Sequence, residues 1–288
     1  SRNPAYLLDR FPSERDRTLS ASFLKSLLTA PADSIPPEPY VIQIRHAIIS
    51  GALDLSKTEF IRGISLRNCR FEDSVNFSDC FIPRVLILDD TIFVQNTDFQ
   101  QIRAGGDVFI RRTTFQKTTN WSGALIQGDL TVSKARFLDT AKGVLLSKIE
   151  VTGNAYFNQT LFEGPFQMDD GTIGGQFQAD EARFLNSSNG ALFTQIFIQD
   201  TASLNRAWFE GVVDFSGAEI LGQFQANGAH FQHLERPAIL TGMKVDTDAF
   251  FRKSVWRGPV MFWGSEIRGA FDLSEASFQN PAAIADFS

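Results

Sequence analysis

Large apolar residues recur along this chain at intervals that no single helix or strand would produce. They are nearly all Phe, and they are separated by alternating steps of 22 and 25 residues over much of the sequence. Smaller residues such as Ile126, Ile173, Ile220 and Ile267 lie midway along the 22-residue steps, so the repeating unit has eleven residues. The large anchors are Phe115, Phe137, Phe162, Phe184, Phe209, Phe231, Trp256 and Phe278.

Inside each unit, apolar and polar positions alternate as they do along a β-strand. The stretch from Ile220 to Phe231 shows the whole pattern, with a small residue two places before the anchor and Gly or polar residues where the chain must bend. Three units, at 137–151, 184–198 and 231–245, carry three additional residues each, and these insertions recur after 47 residues. Units of two kinds therefore alternate along the chain, and all three insertions fall in units of the same kind.

This pattern predicts an all-β protein, a right-handed parallel β-solenoid. Each apolar run is only two or three residues long, and short strands at a fixed spacing are typical of stacked coils. Two units give four short sides, so we expect about ten coils of about 22 residues between Ile42 and Phe278. Most of the 28 Phe take inward positions. The small residue near each ring lets the rings stack in a narrow interior.

Small-x-Phe triplets in this sequence resemble the columns of pentapeptide-repeat proteins. Examples are Ala182-Arg183-Phe184, Ala229-His230-Phe231 and Ala276-Ser277-Phe278. The resemblance covers about residues 42–278 and implies a right-handed, four-sided β-helix, although the half-coil here has eleven residues rather than ten. The segments 49–55 and 267–273 resemble a bacterial group of pentapeptide-like proteins that are often labelled membrane-associated. The resemblance implies a fold and almost nothing about activity.

The two ends of the chain differ from the repeats. A capped amphipathic helix is predicted near the N-terminus, where it would cover the open edges of the first coil. Its capping and apolar positions are Ser13, Asp16, Leu19, Phe23, Leu24, Leu27 and Leu28, and Pro31 lies beyond them. We therefore expect an N-terminal arm with a capping helix at 1–41, the solenoid at 42–278 and a polar C-terminal tail at 279–288.

Composition and charge narrow the classes of function. The net charge is −6, and the chain lacks the clustered Lys and Arg that direct nucleic-acid binding needs. With two cysteines there is no disulfide scaffold, and we expect Cys69 and Cys80 to be free thiols in the core. The sequence shows no run of about 18 apolar residues and no signal peptide. We expect a cytoplasmic protein, with any membrane association through segments outside this chain.

The motifs that commonly carry chemistry are missing from this sequence. It contains no Gly-x-Ser-x-Gly, phosphate-binding loop or dinucleotide fingerprint. Of the three His, His230 is predicted to point outward and His233 lies in an insertion, and a metal site would need Glu235 as a third ligand. We predict no catalytic residue, no metal and no cofactor.

One outward row carries a polar residue in each of four successive coils. Its members are Asp54, Asn76, Asp98 and Asn120. Stacked coils would place neighbours ~4.8 Å apart. We interpret the row as a solvated polar ladder, and a site for a cation or a polar glycan is the alternative.

Other outward positions are apolar and indicate contact surfaces. Leu145, Leu192 and Ile239 belong to the three inserted units, and we expect them to form one lateral patch with Leu138, Leu185 and Leu234, over which the insertions fold back. Units of the other kind, which have no insertion, carry Ile87, Phe109, Tyr156 and Phe250 at outward positions. Phe278 ends the last coil, and its open strand edges favour self-association or attachment to further chain beyond Ser288. The candidate interaction surface is Phe109, Tyr156, Phe250, Leu145, Leu192, Ile239 and Phe278.

Together these features favour a non-catalytic binding or scaffolding rod that acts through protein–protein interaction. Its partner is expected to be a protein, with a homodimer as one candidate, and no direct contact with nucleic acid is expected. The first alternative is an inhibitor that imitates a nucleic-acid duplex with carboxylates along the rod, which needs a dense acidic stripe. The second is a glycan-binding or glycan-active β-helix protein, which would be supported by a cleft with converging carboxylates.

Overall fold

The computed structural model describes Ser13, residues 17–31, residues 40–279 and the backbone of the strand Ala285–Asp286. From Val41 onward the chain winds into a parallel β-solenoid of about eleven turns of about 22 residues. Each turn passes through four short strands, and each strand pairs in parallel with its equivalents in the neighbouring turns. The predicted fold class is therefore confirmed, with about one turn more than expected.

Four sheets form the sides of the solenoid, and we number them I to IV in the order in which the chain visits them within a turn. The strands of sheet I are Thr18–Ser20, Ile48–Ser50, Arg70–Phe71, Ile92–Phe93, Thr114–Phe115, Arg136–Phe137, Leu161–Phe162, Arg183–Phe184, Trp208–Phe209, His230–Phe231, Val255–Trp256 and Ser277–Phe278. The strands of sheet II are Leu53–Asp54, Val75–Asn76, Thr97–Asp98, Thr119–Asn120, Val144–Leu145, Phe166–Gln167, Ala191–Leu192, Val213–Asp214, Ala238–Ile239, Val260–Met261 and Ala285–Asp286.

Sheets III and IV complete each turn, so that sheet III lies opposite sheet I and sheet IV opposite sheet II. The strands of sheet III are Phe81–Ile82, Arg103–Ala104, Leu125–Ile126, Glu150–Val151, Thr172–Ile173, Phe197–Ile198, Glu219–Ile220, Lys244–Val245 and Glu266–Ile267. The strands of sheet IV are Val41–Arg45, Gly63–Arg67, Leu86–Ile87, Val108–Phe109, Leu130–Thr131, Ala155–Tyr156, Phe177–Gln178, Ala202–Ser203, Phe224–Gln225, Ala249–Phe250 and Phe271–Asp272.

The core under sheet I is a continuous stack of aromatic rings that rises with the turns. Neighbouring ring centroids are between 3.9 and 6.0 Å apart, and neighbouring planes differ by at most 12°. The stacked residues are Phe71, Phe93, Phe115, Phe137, Phe162, Phe184, Phe209, Phe231, Trp256 and Phe278. The ring spacing follows the ~4.8 Å rise between parallel strands, so one continuous aromatic column runs along the sheet I side of the interior.

Threonines at the small inward position before sheet I donate their hydroxyls to carbonyl oxygens of the turn before. Thr91 Oγ1 donates to the carbonyl oxygen of Leu66 at 2.7 Å, and Thr113 Oγ1 donates to that of Leu88 at 2.6 Å. A buried hydroxyl without such a partner costs stability. The small inward position therefore supplies both room for a ring and a link between turns.

The N-terminal helix, α1, spans Ala21–Leu28 and covers the first turn with buried Ala21, Leu24 and Leu28. Its N-cap is Ser20, whose side-chain oxygen accepts a hydrogen bond from the Phe23 N–H at 3.2 Å. The expected start at Ser13 is therefore wrong. The physical reason is that Leu19 belongs to the strand Thr18–Ser20, which pairs with Ile48–Ser50 and adds an outer strand to sheet I.

The C-terminal tail expected at 279–288 contributes to the solenoid as well. The strand Ala285–Asp286 pairs with Val260–Met261 and extends sheet II by one strand. The tail positions 280–284 and 287–288, which include Pro281 and Phe287, lie outside the described residues.

Candidate functional site

The polar row Asp54, Asn76, Asp98 and Asn120 lies on sheet II, and its members pair in register from turn to turn. Each side-chain oxygen accepts a hydrogen bond from the backbone N–H two residues further on, at 2.9–3.0 Å. This is the hydrogen bond of an Asx-turn. Hydrogen bonds from Ser56 also lower the pKa of Asp54. The row therefore shapes the bend that leads from sheet II to sheet III.

Further along sheet II the same outward position becomes apolar in every second turn. Leu145, Leu192 and Ile239 are half-buried there. Gln167 lies between the first two, and Asp214 lies between the last two. The apolar positions predicted from the insertions thus share one sheet, but polar residues separate them.

The inserted residues form three loops, 138–143, 185–190 and 232–237, at the corner between sheets I and II. Each loop crosses a glycine of the following turn. A Cβ added to Gly164, Gly211 or Gly258 would lie 1.8, 2.0 or 2.0 Å from the carbonyl oxygen of Asp139, Asn186 or His233, respectively. No side chain fits at that distance, so the loops pack on the rod only because glycine recurs with them every 47 residues.

Hydrogen bonds connect consecutive loops across the turn between them. Asn186 Nδ2 donates to the carbonyl oxygen of Thr140 at 3.3 Å. Arg236 Nη1 donates to the carbonyl oxygen of Ser188 at 2.5 Å. The three loops are thus linked in a row along one corner of the rod. The sequence indicated this row only through the 47-residue spacing of the insertions.

The expected six-residue patch is only partly assembled. Leu138 and Leu185 are half-buried, as are Leu145, Leu192 and Ile239. Leu234, at the tip of the third loop, is 57% exposed. Between the second and third loops lies a cavity of about 300 Å³. It is lined by Gln167, Ser188, Asn189, Leu192, Val212, Arg236, Pro237 and Ile239.

The aromatic row of Phe109, Tyr156 and Phe250 lies on sheet IV, on the opposite side of the rod from Leu192. All three side chains are half-buried. The guanidinium of Arg111 lies 4.8 Å from the centre of the Phe109 ring, and that of Arg252 lies 4.4 Å from the centre of the Phe250 ring. Arginine therefore covers two of the predicted apolar positions, in Phe-x-Arg sequences that could have indicated it.

Carboxylates and arginines alternate between turns at the edge of sheet IV and at the next bend. Buried Asp89 accepts hydrogen bonds from the Arg111 N–H at 2.9 Å and from Arg111 Nη2 at 2.6 Å, and this bond raises the pKa of Arg111. Its neighbour Asp90 is more exposed and accepts hydrogen bonds from Arg112 Nε at 2.5 Å and from Arg112 Nη2 at 2.6 Å. Acidic charge along this edge is thus matched by basic charge one turn away.

Between Tyr156 and Phe250, sheet IV carries a network of side-chain amides. Gln178 Nε2 donates to Gln176 Oε1 at 2.8 Å, and Gln225 Nε2 donates to Gln223 Oε1 at 2.7 Å. Asparagines of the neighbouring turns extend both pairs, since Asn158 Nδ2 donates to Gln178 Oε1 at 3.2 Å and Asn205 Nδ2 donates to Gln225 Oε1 at 3.2 Å. Nothing in the repeat pattern distinguished these residues from other solvated positions, because an amide partner in the next turn is visible only once the turns are stacked.

The last described turn exposes large apolar side chains. Trp263 is 62% exposed and Phe278 is 45% exposed, and both Met261 and Phe271 are exposed as well. Trp263 lies two residues after the end of its sheet II strand, Val260–Met261, in a column whose equivalent positions in the other turns are Ser, Thr, Asp or Gln. Phe278 is predicted from the sequence for this end and Trp263 is not, although the departure of Trp263 from that column was an available signal.

The histidines and cysteines have local roles. His230 stacks on Trp208 with ring centres 4.9 Å apart, and His233 Nδ1 accepts N–H groups of Glu235 and Arg236 at 3.2 and 2.9 Å. Cys69 and Cys80 are free and buried, as predicted. Within the part of the chain that the structure describes, no three His, Cys, Asp or Glu side chains are grouped as metal ligands.

Comparisons with protein families, with curated proteins and with solved structures find no match for this chain. In its described residues, no helix has the length and apolar character needed to cross a lipid bilayer.

Proposed function

We propose that this chain is a non-catalytic β-solenoid that binds proteins and acts as a scaffold. The observation that carries the proposal is the group of exposed apolar side chains in the last described turns. Of the large hydrophobic side chains that are exposed among the described residues, Met261, Trp263, Phe271 and Phe278 lie within 18 residues of one another. Exposed apolar groups of this kind mark contact surfaces in soluble proteins.

A second copy of the chain is the partner that this end favours first. Strand edges at the end of a parallel sheet leave backbone N–H and C=O groups that another strand can pair with. The ring of Phe278 continues the aromatic stack, lying parallel to Trp256 with centres 6.0 Å apart. A homodimer that meets at these turns would cover both the strand edges and the end of the stack.

The alternatives receive less support from the side-chain arrangement. Asp89, Asp90, Glu181 and Asp272 each pair with an arginine of a neighbouring turn. Such alternation of charge does not favour a duplex-like acidic stripe. The polar row of sheet II is engaged in turn hydrogen bonds, which favours a structural role over a glycan or cation site.

The four-sided turns also support placing the chain close to pentapeptide-repeat proteins, with an eleven-residue half-turn in place of ten. Two buried free cysteines support a reducing compartment, and we include a cytoplasmic location in the proposal. Cell fractionation of the protein with its natural flanking sequence tests that location.

The homodimer is tested by sedimentation velocity with single substitutions at the two candidate surfaces. Phe278→Asp places a charge at the exposed end, and we expect it to convert a dimer into a monomer. Phe109→Asp, on sheet IV, is the matched control and should leave the dimer intact. A wild-type protein that stays monomeric at high concentration contradicts the homodimer, and loss of dimer with Phe109→Asp alone moves the contact to sheet IV.

A further inference from the structure

The cavity between the second and third inserted loops, which we call the loop groove, combines an apolar floor with a polar rim. Leu192, Val212, Pro237 and Ile239 supply the apolar lining, and the groove has a volume of about 300 Å³. That volume is at the lower end of the range of small-ligand sites. It is large enough for one aliphatic side chain with the backbone groups attached to it.

Arg236 is the one charged residue among those that line the loop groove. Its Nη1 donates to the carbonyl oxygen of Ser188 at 2.5 Å, which fixes the guanidinium at the rim. A guanidinium has five N–H donors and binds a carboxylate with two of them in parallel. Asp214 lies between Leu192 and Ile239 on sheet II but does not line the loop groove, and its Oδ1 accepts the N–H and the hydroxyl of Ser216, at 2.8 and 2.5 Å. The lining therefore favours an anionic ligand.

Two carboxamides, those of Gln167 and Asn189, also line the loop groove. Carboxamides donate and accept hydrogen bonds at once, as peptide groups do. A polypeptide presents such groups next to its terminal carboxylate, whereas a free aliphatic acid presents none. The rim chemistry thus favours a peptide over a lipid.

We propose that the loop groove binds the C-terminal residue of a partner polypeptide. An apolar last side chain packs against Leu192 and Ile239, and the terminal carboxylate pairs with Arg236. This inference rests on the proposed protein-binding function and names the chemistry of one partner. The loop groove is separate from the end of the rod at which the homodimer is proposed.

A pair of labelled peptides tests the proposal by fluorescence anisotropy. The first is fluorescein-Gly-Ser-Gly-Ser-Leu with a free C-terminal carboxylate, and the second is the same peptide with a C-terminal amide. We expect the free acid to bind at least tenfold more tightly. Equal binding of the two peptides, or no saturable binding of the free acid below about 1 mM, overturns the proposal.

Single substitutions distinguish a direct role of Arg236 in peptide binding from its role in linking the loops. Arg236→Gln removes the charge while keeping a polar amide at the rim, so it should abolish the preference for the acid over the amide. Arg183→Gln, exposed on sheet I, is the control and should bind as the wild type does. Leu192→Asn should weaken both peptides by a similar factor, with circular dichroism confirming the fold. Unchanged preference in Arg236→Gln overturns the proposal, whereas the dimer measurement with Phe278→Asp is unaffected by that result.

Discussion

Glycines in this solenoid have two different roles, which substitutions should separate. Gly211 lies under the second inserted loop, and a Cβ there would meet the carbonyl oxygen of Asn186 at 2.0 Å. Gly228 has a φ of +64°, but a Cβ there would meet only Arg206 Cγ, at 3.5 Å. The equivalent bends before sheet I hold Arg206 and Lys253, which adopt the same positive φ.

We therefore expect Gly211→Ala to lower the free energy of unfolding by ~1–3 kcal/mol, as overpacking does. Gly228→Asn should change it by less than ~1 kcal/mol, because Asn tolerates this backbone region. Urea denaturation followed by circular dichroism measures both. Similar losses in the two variants would show that the inserted loop does not depend on the close approach at Gly211.

The two buried thiols should make stability depend on alkaline pH. Burial raises the pKa of Cys69 and of Cys80 to about 11, whereas an unfolded thiol ionises near ~8.5. The protonated thiols therefore contribute their full stabilisation of the folded state below the pKa of the unfolded thiol. This contribution is lost as the pH rises from there through about 11. Across this interval the unfolding midpoint of the wild type should fall relative to that of the double variant Cys69→Ala/Cys80→Ala. In the folded protein at pH 8, Ellman's reagent should react with neither thiol, and rapid native labelling would contradict their burial.

Helix α1 is expected to close the first turn through its buried face. Leu24 is 0% exposed against that turn, whereas Phe23 next to it is 55% exposed. Leu24→Asp should cost at least ~3 kcal/mol, because it removes a buried apolar group and buries a charge. Phe23→Asp should be nearly neutral and should reduce aggregation, since an acid in the first turn suits the helix dipole. Thermal unfolding compares the two, and equal midpoints would mean that α1 is not a cap.

Over the whole molecule, the stacked turns should differ in local stability. Each turn contacts only its neighbours, so stability is approximately a sum of terms for single turns and for their interfaces. The last described turn exposes Phe271 and Phe278, while central rings such as Phe162 are fully buried and stacked on both sides. In hydrogen exchange, amides within 266–278 should exchange earlier than those around Phe162, and the turn under α1 should stay protected. Uniform exchange along the rod would indicate one cooperative unit instead.

The sequence by itself determined the sheets, the inward residues and the register of this protein. Strand alternation is a local property, and its repetition every 22 or 25 residues specifies which positions meet in the next turn, as Phe162, Phe184 and Phe209 show by stacking. The same arithmetic identified the inserted units. Helix α1 lies outside the repeat, which is why its start was misplaced.

Only the tertiary structure decided what the outward side chains do. Whether Asp54 turns the chain or binds a ligand, and whether Phe109 is bare or covered by Arg111, depends on atoms brought together at the bends and across turns. Arg236 reaches Ser188, which precedes it by 48 residues, because two loops stand at the same corner. Outward groups have no packed core to restrict them to one arrangement, so their partners follow from the three-dimensional stacking of turns and not from the periodic pattern.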